Sequence, residues 1–587
     1  MDDLREQGFS AHERGDLDGA RRLYRDALRR SPDDVEVMHA LGIVEVQSGD
    51  YGAAVELLVP VARRVGSAAA HSDLANALLG SGRVADALDC YDRAIALRPD
   101  LAAAHLNRGH ALRSLARRAE AVSSYERAIA VNPQIIDAHT SRATALLELG
   151  RWMEALESAQ SAVALGRDSA GVHTLCALAL AGLRRFEESL ASFDRAIALD
   201  PACRDAFLGR MALRRRLNRR HEALVDCEQA IALQSDASAH CDRGTLLTEM
   251  KQCEAGLASF DQAIALDPEH AAAHFNRSIC LLLAGRYEGA WAGYERRRQI
   301  LKEDAAEGWR EAHAPRWSGD EPIAGKRLLL RAEQGFGDTL QFCRYAKPLA
   351  AAGAHVILEV QRPLASLLAS LGGEIQVISQ GDPLPAHDYW CPLMSLPLAS
   401  RTSLSTIPTA RRYVHSSPSK IERWNLALGI RSRPRIGLVW SGSYRHQHDH
   451  NRNVAFQDLV ARLPDGFMYV SLQKEQREAD RRALKRHPEI YDASGGLQDF
   501  GDTAALCDCL DFIISVDTAV AHLCGALGRP AWILLPWYPD WRWMLDRADS
   551  PWYPTLTLYR QMAPGDWRGV IDRLAGDLER QFGALPS

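Results

Sequence analysis

The stretch Ala87–Pro133, ALDCYDRAIALRPDLAAAHLNRGHALRSLARRAEAVSSYERAIAVNP, carries one set of positions twice. Ala87, Tyr91, Ala94 and Pro99 return 34 residues later as Ala121, Tyr125, Ala128 and Pro133. Towards the N-terminus, Ala20, Tyr24, Ala27 and Pro32 hold the same register; towards the C-terminus, Phe193, Ala196, Pro201 and Phe260, Ala263, Pro268 keep most of it. Pro32, Pro99, Pro133, Pro201 and Pro268 are separated by 67, 34, 68 and 67 residues, close to multiples of 34. A small residue also stands twelve positions before the first alanine: Gly8 before Ala20, Gly42 before Ala54, Ala75 before Ala87 and Gly109 before Ala121. Two short helices crossing closely at the small side chain, with an aromatic of the second helix filling the gap, account for these positions together.

This register resembles the tetratricopeptide repeat. About nine units fit residues 1–300, the last, 271–300, losing register after Tyr294. The resemblance implies stacked α-hairpins in a superhelix with an extended concave surface that receives a peptide or a helix. A structural spacer or a dimerisation arm is the alternative. Polar residues recur near the starts of the first helices, among them His71, His105 and His274. Asn76, Asn107, His139, His240 and Asn276 are the candidates for a ligand-facing repeat surface, and none implies a metal site.

The 587 residues exceed one ordinary domain. With 47% hydrophobic and 25% charged residues the chain can bury large cores. A formal charge of −5 suggests no cationic surface for nucleic acid. The twelve cysteines show no zinc-like pairing, the first residues lack a signal-peptide core, and no run of 18 apolar residues occurs. A cytoplasmic protein without stable membrane insertion is expected.

Tryptophan marks a change of grammar: Trp152 and Trp291 lie in the first 300 residues and the other eleven follow. Residues 301–324, with Pro315, Trp317, Gly319 and Pro322, read as a packed connector. Beyond it, short apolar strands alternate with helices: Arg327–Arg331, His355–Val360, Glu374–Ser379, Arg435–Trp440, Phe467–Leu472, Asp511–Val516, Ala531–Leu535 and Thr555–Tyr559. The fold class expected is therefore α + α/β, with a Rossmann-like two-lobed second half. Residues 325–430 form a short first lobe and 431–587 a second, with a final helix near 567–582 that crosses back towards the first lobe. Ligands are expected beyond the carboxyl ends of the strands.

Three segments carry the candidate chemistry. The first-lobe loop Glu333-Gln334-Gly335-Phe336-Gly337-Asp338-Thr339 runs from a strand into a helix carrying Gln341 and Arg344. Asp338 suits an N-cap or, facing a cleft, a general base. The loop lacks the ending of a P-loop and the third glycine of a dinucleotide fingerprint. The second-lobe loop Trp440-Ser441-Gly442-Ser443-Tyr444-Arg445, followed by His446, His448, His450 and Arg452, offers hydroxyls, amides and arginines that suit a diphosphate, with Gln473 and Lys474 beyond the next strand. Its histidines read either as a solvated loop or as metal ligands. In Asp511–Pro530 a buried strand ends at Ser515–Asp517 and a helix begins at Thr518, with His522 one turn on. Asp517, Thr518 and Ala519 would cradle a phosphate or ribose at the helix amides; capping plus a satisfied histidine is the alternative.

From about Gly325 onward these segments, with Pro536-Trp537-Tyr538-Pro539-Asp540-Trp541-Arg542-Trp543 and Asp549-Ser550-Pro551-Trp552-Tyr553-Pro554, resemble the heptosyltransferase-type bacterial glycosyltransferases of the two-lobed B fold, and their relatives fused behind tetratricopeptide repeats. The resemblance implies transfer of a sugar from a nucleotide-sugar donor, taken as substrate, with no cofactor and no required metal. Asp338 would be the acceptor-side base, supported by Gln334, Gly335, Gly337, Thr339 and Arg344. Ser441, Gly442, Arg452, Gln473, Lys474, Asp517, Thr518, Ala519 and His522 would bind the donor. The repeats would recruit a protein acceptor, flagellin being one candidate. A saccharide or lipid-linked acceptor, or a non-catalytic nucleotide-sugar-binding scaffold, are the alternatives.

Overall fold

A computed structural model describes residues 2–300, 314–408, 410–442 and 449–582. The chain divides into two compact units, Met1–Gln234 and Ser235–Ser587.

The first unit is a solenoid of seven helix pairs: α1 Asp2–Glu13 with α2 Leu17–Arg30, α3 Val35–Gln47 with α4 Tyr51–Val65, α5 Ala68–Gly80 with α6 Val84–Leu97, α7 Ala102–Ser114 with α8 Arg118–Val131, α9 Ile136–Glu148 with α10 Trp152–Ala164, α11 Ala170–Gly182 with α12 Phe186–Leu199, and α13 Arg204–Arg216 with α14 Arg220–Leu233. Asp16, Asp34, Asp50 and Ser67 each begin a helix by accepting a backbone N–H of its first turn. The small residues do what their spacing implies. A Cβ on Gly8 would lie 2.5 Å from the Tyr24 ring, and one on Gly109 would lie 2.4 Å from the Tyr125 ring. Both tyrosines are fully buried.

A second periodic device escaped the reading of the sequence. Arg108 in α7 reaches Asp92 in α6 at 2.6 Å and Ser124 in α8 at 2.7 Å. Arg142 in α9 likewise joins Glu126 at 2.9 Å and Ser158 at 2.6 Å, and Arg210 in α13 joins Asp194 and Asp226. Each arginine stands sixteen residues from both partners, so one guanidinium ties the second helices of successive hairpins. Cys176 occupies the corresponding place in α11.

The second unit opens with α15 Ala237–Glu249, α16 Cys253–Leu266 and α17 Ala271–Leu283, then short helical turns at Tyr287–Gly289, Trp291–Tyr294 and Arg297–Ile300. Two parallel sheets follow. The first has the order β3-β2-β1-β4, from β1 Arg327–Arg331, β2 His355–Val360, β3 Ile375–Ser379 and β4 Tyr389–Pro392. The second has the order β10-β9-β8-β5-β6-β7, from β5 Arg435–Val439, β6 Met468–Ser471, β7 Tyr491–Asp492, β8 Phe512–Val516, β9 Ala531–Leu535 and β10 Leu556–Arg560. All eight expected strands are present, with ends within one residue. The two missed, β4 and β7, are four- and two-residue edge strands; β4 runs directly into the buried Leu393 and Met394, and β7 is only Tyr491-Asp492.

In each sheet the chain runs outward on one side of the first strand and returns to its other side. This sets a switch point between β1 and β4, and another between β5 and β8. Crevices for ligands open at the carboxyl ends of strands at such points.

Trp317 is buried and donates its backbone N–H to the Trp390 carbonyl at 2.8 Å. Residues 301–313 of the connector lie outside the described residues. The expectation of a boundary at residue 300 meets a different grouping. Phe260, Trp291 and Tyr294 share one core with Leu328, Leu330 and Trp541, so the compact division falls at Gln234 instead. The final helix, Trp567–Phe582, corrects another expectation. Val570, Ile571, Leu574 and Leu578 pack in one core with Ile436, Leu438, Ile514 and Leu534, so this helix covers the second sheet rather than crossing to the first. Among the described residues no helix is long and apolar enough to cross a membrane.

Replacing Gly109 with Val should cost about 1–3 kcal/mol, because the added methyls overlap the buried Tyr125 ring. Urea denaturation measures this; parental stability would show that the ring moves aside without strain.

Candidate functional site

The loop after β1 lies at the first switch point. Gly335 caps the helix Phe336–Phe342 and Asp338 is its third residue, so Asp338 is not itself the cap. Its Oδ2 accepts the Gly335 N–H at 2.8 Å, the return half of a capping box, and its Oδ1 accepts Arg542 Nη2 at 2.6 Å. Gln361, at the end of β2, pins the same loop. It donates to the Gln334 carbonyl and accepts Thr339 Oγ1, both at 2.8 Å. Arg344, expected beside the acceptor, is instead committed inward. It donates to the carbonyls of Gln341 and Trp552 and to the Tyr413 hydroxyl, among the Tyr413, Trp552 and Tyr553 rings.

Opposite this loop lies the end of β8, at the second switch point. Thr518 caps the helix Ala519–Leu527 from an extended conformation, its Oγ1 3.3 Å from Ser515 Oγ. Gly337 sits directly against this helix start: a Cβ there would be 2.7 Å from His522 Cδ2 and 3.6 Å from Ala519 Cα. Only glycine permits the approach. Arg452 spans the β5–β8 gap, donating Nη1 to the Asp517 carbonyl at 3.1 Å, and its guanidinium covers Gly442. The Gly442 N–H reaches Asn453 Oδ1 at 3.0 Å. Gln473 both accepts the Ser441 N–H and donates to the Ser441 carbonyl, so it shapes the loop. Lys474 turns to the Gln498 carbonyl at 2.8 Å. Ser443, Tyr444, Arg445, His446 and His448 lie outside the described residues, as does the His450 side chain.

Two residues of the stretch Pro536–Trp543 complete the cluster. Arg542 is buried and donates to Asp338, to Asp540 Oδ1 at 2.9 Å and to Gln341 Oε1 at 2.7 Å. Burial works against the charge of Asp540, but Arg542 outweighs it and holds this carboxyl below its ordinary value. Burial, with Asp540 nearby, pushes Asp517 up to about 6 against the pull of Arg452. Burial, reinforced by Arg542, lowers His522 to about 3, so its imidazole is neutral near pH 7. The ring meets the Tyr553 hydroxyl through Nδ1 at 2.8 Å and stacks on Trp543. Among the described residues no group of three His, Cys, Asp or Glu could hold a metal ion. The arrangement gathers Arg452 and Arg542, the carboxyl groups of Asp338, Asp517 and Asp540, and the amides of a helix start at facing strand ends.

In the repeats, Asn76 Oδ1 accepts the Tyr91 hydroxyl of its own hairpin at 2.7 Å and Asn107 Nδ2 of the next hairpin at 2.9 Å. The recurring histidines have an intramolecular reason: His105, His139 and His274 each meet the carbonyl of the proline six residues back. His139 also lines a cavity of about 350 Å³ with Glu126, Arg142 and Glu157. Within the second unit, His240 meets Ser235 Oγ at 3.0 Å and Asn276 meets Thr245 Oγ1 at 3.2 Å.

Family models described as tetratricopeptide or TPR repeat match residues 11–66, 68–115, 106–170 and 241–300. The N-terminal repeats are tetratricopeptide repeats. They form a module capable of protein–protein contacts, joined to an α/β region. Protein FlbA of Caulobacter vibrioides is 26% identical over 432 residues, covering 63% of this chain and 72% of its own. The crystal structure of MamA is 30% identical and covers 27% of this chain and 93% of its own, with a TM-score of 0.26. A thermophilic TPR protein of Thermus thermophilus is 24% identical and covers 31% and 99%, with a TM-score of 0.28.

The two shifted groups of the cluster act oppositely on stability. His522, depressed to about 3, contributes stability that is full above pH 6.5 and is lost as pH falls. Asp517, raised to about 6, lowers stability as pH rises from about 4 to 6. Asp517→Asn should therefore gain more stability over the parent at pH 7 than at pH 4, as read from urea midpoints. An equal effect at both would show that Asp517 titrates normally.

Proposed function

We propose that the chain is a glycosyltransferase that moves a sugar from a nucleotide-sugar donor to a protein hydroxyl. Residues 325–430 serve as the acceptor-side lobe and 431–587 as the nucleotide-sugar lobe of a B-type fold. The repeats recruit the acceptor, flagellin being one candidate. The observation that carries this reading is the meeting of two strand-end loops: Gly337, beside Asp338, packs on Ala519 and His522 at the start of the opposite helix. Sugar transfer needs an acceptor-side base and an anion cradle brought together in this way.

In this reading Asp338, paired with Arg542, accepts the proton of the acceptor hydroxyl as its oxygen attacks the anomeric carbon. The bond from that carbon to the diphosphate breaks, and the diphosphate leaves as an anion. Arg452 and the amides at Thr518 and Ala519 stabilise it electrostatically, without a required metal. His522, neutral and held by Tyr553, orients a donor group rather than acting as base.

A second reading is a non-catalytic nucleotide-sugar-binding module. It is favoured by the occupation of both Asp338 oxygens by Gly335 and Arg542. The two separate on Asp338→Asn. The transferase reading expects donor affinity retained by calorimetry and turnover lowered about 10²–10³-fold, and Arg452→Ala lowered by a similar factor. Normal turnover in Asp338→Asn would remove it as base; donor binding without turnover in the parent would favour the module.

The chain beginning at Ser235, which keeps α15–α17 with the sheets, is expected to bind donor yet modify the acceptor protein poorly. Modification equal to that by the full chain would remove the recruiting role of the first seven hairpins.

A further inference from the structure

The end of the last repeat is built into the α/β part of the second unit by buried charge rather than by apolar packing alone. Arg297 is 1% exposed. Its Nη1 donates to Glu295 Oε1 at 2.6 Å, and its Nη2 reaches both oxygens of Glu333 at 2.8 and 3.0 Å and Ser395 Oγ at 2.9 Å. Glu333, its side chain fully buried, also accepts the Met394 N–H at 3.0 Å. Glu295 is shared with Arg316 and Ser395. Glu333 immediately precedes Gln334 and Gly335, so its carboxylate anchors the backbone that turns into Asp338. That carboxylate cannot shift without stranding a buried charge.

A second connection starts from the same segment. Tyr287, Trp291 and Tyr294 meet Trp541 edge-on, with centroids 6.4, 5.6 and 5.7 Å away. The Arg542 guanidinium lies 4.5 Å from the Trp541 centroid and donates to Asp338. Residues Tyr287 to Arg297 therefore grip the Asp338 loop twice: through its backbone before Gly335, and through the cation on its carboxylate.

We propose that this segment is a positioning element of the candidate site, with Arg297 the positioning residue for Asp338 through Glu333. Its effect on turnover rests on the sugar-transfer reading; its effect on the loop does not. Arg297 touches no reacting atom in this account. It selects the loop geometry in which Gly337 meets the start of the helix Ala519–Leu527 and Asp338 meets Arg542.

The test compares the full-length parent with Arg297→Gln and Arg297→Lys by hydrogen exchange and kinetics. In folded Arg297→Gln, amides of residues 334–338 should exchange at least about tenfold faster, while those of Phe512–Val516 keep parental rates. Arg297→Lys, which keeps the charge and loses the fork, should fall between. Where the parent turns over a nucleotide sugar, kcat of Arg297→Gln should drop by about 10²-fold with donor KM unchanged. Parental exchange at 334–338 in folded Arg297→Gln would overturn the proposal. Should that variant not fold, Ser395→Ala weakens the same network from its edge and must accelerate the same amides; unchanged rates there would overturn it equally. Absence of turnover in the parent would count against sugar transfer and leave the exchange rates to decide this inference.

Discussion

The pairing of Arg542 with Asp338 and Asp540 is the constraint around which the second unit is arranged. A buried guanidinium is tolerated only where carboxylates and polar groups meet its donors. Here Asp338, Asp540 and Gln341 do so, and the Trp541 ring supports its face. Asp338 and Arg542 are 204 residues apart and follow strands of different sheets. Their contact brings the loop after β1 against the helix after β8. Removing the carboxylates would strand the buried guanidinium at a cost of roughly 3–5 kcal/mol. The same guanidinium helps to keep His522 neutral.

The repeats meet a different constraint. Each hairpin buries little by itself and is stabilised by its neighbours. Glycine at the helix crossing allows Tyr24 and Tyr125 to fill the gap, and arginines sixteen residues from two partners stitch hairpin to hairpin. In the last repeat the residues from Tyr287 to Arg297 serve the α/β part, and the pattern lapses after Tyr294, where Arg297 pairs with Glu333. Trp291 donates its indole N–H to the Thr402 carbonyl at 2.7 Å, and Tyr287 accepts that of Trp552 at 2.8 Å. Lost register here marks a change of packing partner.

Periodic features were legible in the sequence because they are local. The 34-residue register announced the hairpins, and apolar runs between turn residues announced eight strands almost to the residue. The two short edge strands, of four and two residues, stayed hidden. At the site, the loops were legible and the pairings were not. Glycine and aspartate at 335–338 and 517 stood out, but nothing near Asp338 pointed to Arg542, and nothing near Arg344 pointed to the carbonyls of Gln341 and Trp552 that hold it inward. The recurring histidines show the converse: what reads as a ligand-facing stripe includes three contacts to proline carbonyls. Long-range polar pairs leave no periodic trace; only the folded chain displays them.

The most direct test of sugar transfer is to incubate the full-length protein with a panel of nucleotide sugars and follow release of free nucleotide. The account predicts donor-selective release that survives chelation of divalent metal ions. Release and binding both absent for every donor would contradict it.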